Sequence, residues 1–120
     1  MATIVLLGME KDLADQLSRI LVEHEHQVIT TDSMDTTLRL SGTDIVFAGG
    51  DAPDYREVIR QLKARRPGLA VVLVNRLPEN SRWLDALELG AADYCGAPFE
   101  ATQMRWLVSS VLRQPMAACA

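Results

Sequence analysis

The stretch Ala86-Leu87-Glu88-Leu89-Gly90-Ala91-Ala92-Asp93-Tyr94-Cys95-Gly96-Ala97-Pro98-Phe99 decides how the rest of the chain is read. It opens as the end of a helix and turns at Gly90, where a left-handed C′ residue costs glycine little. It then enters a short apolar strand predicted over 92 to 95, and beyond Pro98 a last helix is predicted over about 100 to 113, closed by Pro115. The same alternation runs back to the N-terminus. Short β-branched apolar runs predict strands over 3 to 7, 27 to 31, 44 to 48 and 70 to 74, with helical patterns between them. This is the signature of βαβ units and a parallel sheet covered on both faces.

The first helix, about 11 to 23, sets Leu13, Leu17, Ile20 and Leu21 on one apolar stripe. A second, about 33 to 40, is short and weakened by Thr36 and Thr37. A third, about 55 to 65, turns Val58, Ile59 and Leu62 inward and Arg56, Arg60 and Lys63 outward, then stops before Pro67-Gly68. The fourth starts near Pro78-Glu79-Asn80, with Asn80 or Ser81 available as its cap.

With 120 residues the chain is long enough for one core and is expected to form one domain over 1 to 114, followed by a disordered tail over 115 to 120. Twelve basic against sixteen acidic residues leave a net charge of −4, which argues against nucleic-acid binding by this chain. No basic leader precedes the first strand, and no apolar run approaches the ~18 residues of a membrane span, so a cytoplasmic protein is expected. Cys95 and Cys119 form no CxxC and read as a reduced core thiol and an incidental tail thiol. His24 and His26 sit at a helix–strand junction where their rings diverge, so no metal site is expected there, and no serine–histidine–aspartate set has an elbow motif.

The quoted run resembles the A-L-x-x-G-A-x-x-Y-x-x-K-P-F segment of response-regulator receiver domains, with Ala97 where those proteins carry lysine. The resemblance extends from Ile4 to about Arg113. It implies a flavodoxin-like, doubly wound sheet of five parallel strands in the order 2-1-3-4-5 with five helices, and a cis Ala97–Pro98 bond. It also implies where the phosphorylation residues should stand. The adjacent acids that hold Mg²⁺ in the family correspond to Gly8-Met9, with only Glu10 acidic after them. Pro53 fixes the register after the third strand and puts Gly49 at the phospho-acceptor position, and Asn75 stands where a small hydroxyl residue is expected. The loop from Gly50 to Arg56 is shorter than in the family.

Gly8, Met9, Glu10, Gly49, Asn75 and Ala97 thus read as a degenerate phosphorylation pocket, with Met9 placed to plug it. No metal, cofactor or catalytic activity is expected of it, because Mg²⁺ needs several oxygen ligands and a transferring phosphoryl group needs a cation. Two alternatives are kept. Phosphorylation could have moved to Asp51, or Gly8, Gly49 and Asn75 could bind a small ligand; Gly49-Gly50 reads as a permissive turn, with a backbone cradle for an anion as its weaker competing reading. What the resemblance leaves intact is surface, since in the family the fourth helix, fifth strand and fifth helix form the face where dimers and partners dock. The family pattern puts Leu84 and Leu87 at buried positions and so leaves Trp83 exposed; Trp106 falls to a flank, and Tyr94 matches the aromatic residue that reports activation. The expected function is an atypical receiver in a bacterial two-component pathway, working by contact with a protein partner or with a second copy of itself, or else the N-terminal regulatory domain of a longer transcriptional regulator.

Overall fold

The chain was analysed as a computed structural model that describes residues 2–50, 54–76 and 80–113, with residues 80–83 described by their backbone alone. The apolar runs form five strands: β1 (Thr3–Leu7), β2 (Gln27–Thr31), β3 (Ile45–Gly49), β4 (Ala70–Asn75) and β5 (Asp93–Gly96). All neighbours are parallel, in the order β2-β1-β3-β4-β5. Five helices alternate with them: α1 (Lys11–Glu23), α2 (Met34–Arg39), α3 (Tyr55–Arg65), α4 (Asn80–Glu88) and α5 (Ala101–Arg113). This is the flavodoxin-like doubly wound order that the sequence implies. The last two strands begin or end one residue later than the periodicity suggests, as does β3. Asp44 is held out of β3 because its carboxylate accepts the Thr3 N–H at 2.9 Å, which fixes the start of the pairing instead.

Side-chain alternation divides the inner strands between two cores. Ile4, Leu6, Ile45, Phe47, Val72 and Val74 face α1 and α5, meeting Leu13, Leu17, Leu21, Met104, Val108 and Val111. Val5, Leu7, Val46, Ala48, Val71 and Leu73 face the other way, meeting Tyr55, Ile59 and Leu62 of α3 and Ala86 of α4. On α1, Ala14 is buried and Ile20 only partly so, a small rotation of the expected stripe. Ser33 caps α2 by accepting the Thr36 N–H at 3.1 Å. Gly90, at φ 102°, ends α4 as expected, and the next amide, Ala91 N–H, returns to the Ala86 carbonyl at 2.9 Å. The Ala97–Pro98 bond is cis.

The outward stripe of α3 needs one correction. Lys63 does not stand in solvent; it folds over the helix end and donates to the carbonyls of Pro67 at 2.8 Å and Leu69 at 3.1 Å. Those carbonyls lie where a helix C-terminus leaves acceptors uncovered. Burial lowers the Lys63 pKa. Next to it, the Arg66 guanidinium donates to the carbonyls of Leu40, Ser41 and Thr43 and ties the end of α3 to the turn before β3. Arg60 pairs with Glu57 on the same surface, so the basic residues of α3 are largely engaged locally.

Where α1 turns into β2, Glu25 takes the left-handed conformation at φ 67°, and His26 Nδ1 accepts the N–H of buried Ala2 at 3.0 Å. An imidazolium has no acceptor at Nδ1, so this bond requires the neutral ring. Burial, followed by neighbouring positive charge that includes His24, lowers the His26 pKa from 6.5. A histidine with a depressed folded-state pKa contributes stability above its unfolded value that is lost as pH falls. Denaturant titrations should therefore show stability declining as pH drops below 6.5 through the lower folded-state pKa of His26. His26→Ala is expected to cost about 1 kcal/mol at pH 7.5 and to flatten that part of the profile.

Candidate functional site

In open parallel sheets, ligands bind beyond the carboxyl ends of the strands. Here those ends bring together Gly8, Met9, Glu10, Gly49, Asn75 and Ala97, all the residues that the sequence assigns to the pocket. β1 runs out into Gly8, whose N–H donates to the Thr31 carbonyl at 3.0 Å and whose φ of 64° lies in the left-handed region. The backbone there has turned, so an acidic residue at Gly8 would be strained. Met9 is buried and joins the core between the sheet and α1 and α5, packed in the cluster that holds Phe47, Leu13 and Met104. It is a core side chain at this position and not a solvated ligand.

At the acceptor position, the backbone of β3 passes directly against the β1 loop. A Cβ built on Gly49 would overlap the Gly8 carbonyl oxygen and stand 3.1 Å from its carbon. Gly50 is closed from the other side, where a Cβ would meet Leu73 Cγ at 2.7 Å and Asn75 Cγ at 2.9 Å. Asn75, 1% exposed, lays its carboxamide against Gly50. The Gly50 N–H donates to the Val74 carbonyl at 2.6 Å, and the Asn75 carbonyl accepts the Ala97 N–H at 3.2 Å. The two glycines therefore permit close backbone packing on the sides where a Cβ would stand. Ala97 and Cys95 pack partly against the first core, and burial, followed by the Asp93 charge, pushes the Cys95 thiol up to about 12. That thiol is inert at neutral pH.

One contact was not foreseen from the sequence. Arg76, which follows Asn75, forms a two-pronged ion pair with Glu10, with Nη2 at 2.9 Å from Oε1 and Nε at 3.3 Å from Oε2. Since β1 and β4 flank β3, this bridge arches over the end of β3. The only signal for it was a cation immediately after the strand end. The donor set does not fit Mg²⁺: Glu10 is engaged by Arg76, Gly8, Met9, Gly49 and Ala97 offer no side-chain oxygen, and Asn75 is turned into Gly50. Among the described residues, no group of three or more histidine, cysteine, aspartate or glutamate side chains is placed to hold a metal ion. A cavity of about 180 Å³ remains beside the pocket, lined by Leu7, Gly8, Met34, Gly49 and Val58 together with Asp32 and Asp54. Asp51 and Pro53 lie outside the described residues.

The surface around edge strand β5 corrects the expectation for α4. Leu84 and Leu87 are 59% and 39% exposed, and the residues turned inward are Asp85, Ala86 and the following Leu89. A small alanine against the sheet and a carboxylate bonded to α3 set this rotation, and it carries both leucines outward. The Trp83 side chain lies outside the described residues. Trp106, opposite the buried Met104, Val108 and Val111 stripe of α5, is 68% exposed. Val111 is the core residue there and Leu112 is exposed. Tyr94 packs against the second core. Helices α4 and α5 thus flank the edge strand from opposite faces and present Leu84, Leu87 and Trp106 to solvent.

Comparison with solved structures matches this sheet order and helix placement to a response regulator from Thermotoga maritima, with a TM-score of 0.85 and 18% identity over 95% of this chain and 99% of that one. The fold is that of a response-regulator receiver domain. The BeF₃-activated receiver domain of DrrB superposes with a TM-score of 0.79 and 26% identity, covering 95% of this chain and 99% of that one. In sequence, the chain resembles the response regulator protein FleR of Pseudomonas aeruginosa, 27% identical over 113 residues. That match takes in 90% of this chain but only 24% of FleR, so the chain spans about a quarter of its relative's length. No family model matches the chain. No helix among the described residues is long and apolar enough to cross a membrane.

The packing at the end of β3 is testable without any ligand. Gly50→Ala should destabilise the domain by about 1–3 kcal/mol through overpacking against Leu73 and Asn75. Gly42→Ala, where an added Cβ meets nothing within 4 Å, should be silent. Urea denaturation of the two variants beside the parent chain measures the difference.

Proposed function

We propose that this receiver works without phosphorylation at the usual position, as a protein-contact module in a bacterial two-component signalling pathway. The observation that carries the reading is the closure at Gly49, where the end of β3 has no room for any side chain because the Gly8 carbonyl occupies it. A phospho-accepting aspartate is thus sterically barred as well as missing. The surroundings point the same way: Met9 is core, Asn75 fills the place of a hydroxyl donor, and Ala97 supplies no cation for a phosphoryl group.

What such a domain offers is its surface. Leu84, Leu87 and Trp106 around β5 are the apolar exposure expected of a contact face, and tryptophan is among the residues most enriched at binding hot spots. Homodimerisation through α4, β5 and α5, with Trp83 contributing from α4 and Tyr94 from β5, is the most concrete form of the proposal. The domain would occupy one conformation constitutively, or shift when a partner binds two conformers unequally.

Incubation with acetyl phosphate and Mg²⁺ followed by intact-mass analysis should leave the parent chain without a phosphoryl adduct. An adduct that disappears in Asp51→Asn would instead place the acceptor in the loop after β3. Separately, Trp106→Ala and Leu84→Glu are each expected to weaken self-association in sedimentation velocity at high concentration. Sedimentation identical to that of the parent would remove the homodimer.

A further inference from the structure

The rotation of α4 rests on a polar contact that the receiver pattern does not predict. Tyr55, the first residue of α3, is 6% exposed, with its ring in the second core. Its hydroxyl donates to Asp85 Oδ2 at 2.6 Å. Arg56 pairs with the same carboxylate oxygen through Nε, which also lies 3.4 Å from the tyrosine hydroxyl, and its guanidinium sits over the Tyr55 ring at 5.8 Å from the centroid. The Tyr55 hydrogen bond and then the Arg56 charge hold the Asp85 carboxyl below its ordinary range, and Arg56 is raised in return. Two donors from α3 therefore converge on one oxygen of α4.

Among the described residues, the apolar anchorage of this part of α4 is small: Ala86 is buried and Leu89, just past the helix, is partly buried. The helix has nine residues, too few for intrinsic stability in water. Of its side chains described, 84 to 88, Ala86 alone is fully buried, and an alanine methyl contributes little apolar area. Charge-assisted hydrogen bonds are about twice as strong as neutral ones, so the Asp85 contacts weigh heavily against so small an apolar anchor. The two ends are also unequal. Tyr55 is fixed by a helix whose Ile59 and Leu62 are fully buried, whereas Asp85 belongs to the helix that carries Leu84 and Leu87 outward.

We infer that Tyr55, Arg56 and Asp85 form a latch that sets the position of α4, and that releasing this latch changes the apolar face this domain presents. Because Asp85 precedes Ala86, loss of its bonds lets this part of the helix rotate or lift about the small anchor that Ala86 and the partly buried Leu89 provide. The Arg56 side chain is 67% exposed, so the latch is reachable from solvent. The inference stands on the α3–α4 geometry and does not depend on whether the end of β3 is phosphorylation-silent.

Hydrogen–deuterium exchange of the parent, Tyr55→Phe, Asp85→Asn and the double variant tests it. Peptides covering 84–90 should exchange at least tenfold faster in either single variant, the double variant should add nothing further, and strand peptides should stay unchanged. Tyr55→Phe removes one oxygen from a packed ring, so it remains informative if Asp85→Asn does not fold. In a Trp106→Phe background, the fluorescence of Trp83 on α4 should also change on Tyr55→Phe. Unchanged exchange over 84–90 in Tyr55→Phe, or a rise shared equally by the strands, would overturn the latch.

Discussion

Burial of β3 on both faces and along both edges is the constraint from which the rest follows. Ile45, Val46 and Phe47 are inaccessible and Ala48 nearly so, with β1 on one side and β4 on the other. Such a strand can carry no charge along its length, because an unpaired buried charge costs far more than a single domain can spare. Polar chemistry is confined to its exit. At that exit the protein has placed Gly49 and Gly50, which let the β1 loop approach from one side and Asn75 from the other. At this edge of the sheet, Met9, Gly49 and Asn75 extend the core packing beside a cavity of about 180 Å³.

The energetic weight of that closure lies in sterics and not in charge. The Glu10–Arg76 bridge above it is solvated at both ends, and exposed ion pairs contribute about 0–1 kcal/mol. Met9, buried against α1 and α5, converts an acidic position into apolar area and binds the loop to the first core. The polar contact with more leverage is found elsewhere, between α3 and α4. There a semi-buried carboxylate bridges a firmly packed helix to one with little apolar anchorage, so a single oxygen governs which leucines face outward.

The sheet was legible because its signal is local: alternating apolar strand and amphipathic helix patterns placed each element, and Gly90 and the Ala97–Pro98 turn fell where expected. The pocket residues were legible as identities, through a motif that fixed which positions to inspect. Their role was not. From sequence, Gly49-Gly50 allowed both an anion cradle and a permissive turn, and only the fold showed how closely Gly8 and Asn75 approach them. Arg76 was missed since its partner lies 66 residues away, across the sheet.

The least legible element was α4. A pattern with Leu84 and Leu87 on one side is equally consistent with either face turned inward, and the family likeness favoured the wrong one. Periodicity defines which side chains share a stripe but not which stripe meets the protein. That choice depended on Tyr55 and Arg56, which come from a different helix. The amino-acid sequence by itself therefore determined the element order, the strand positions to within a residue or so, and the absence of an adjacent acid pair and of lysine at Ala97, because each is a property of residue type along the chain. Only the tertiary structure decided that a side chain at Gly49 would meet the Gly8 carbonyl and that α4 shows its leucines to solvent, since both depend on atoms brought together by the fold.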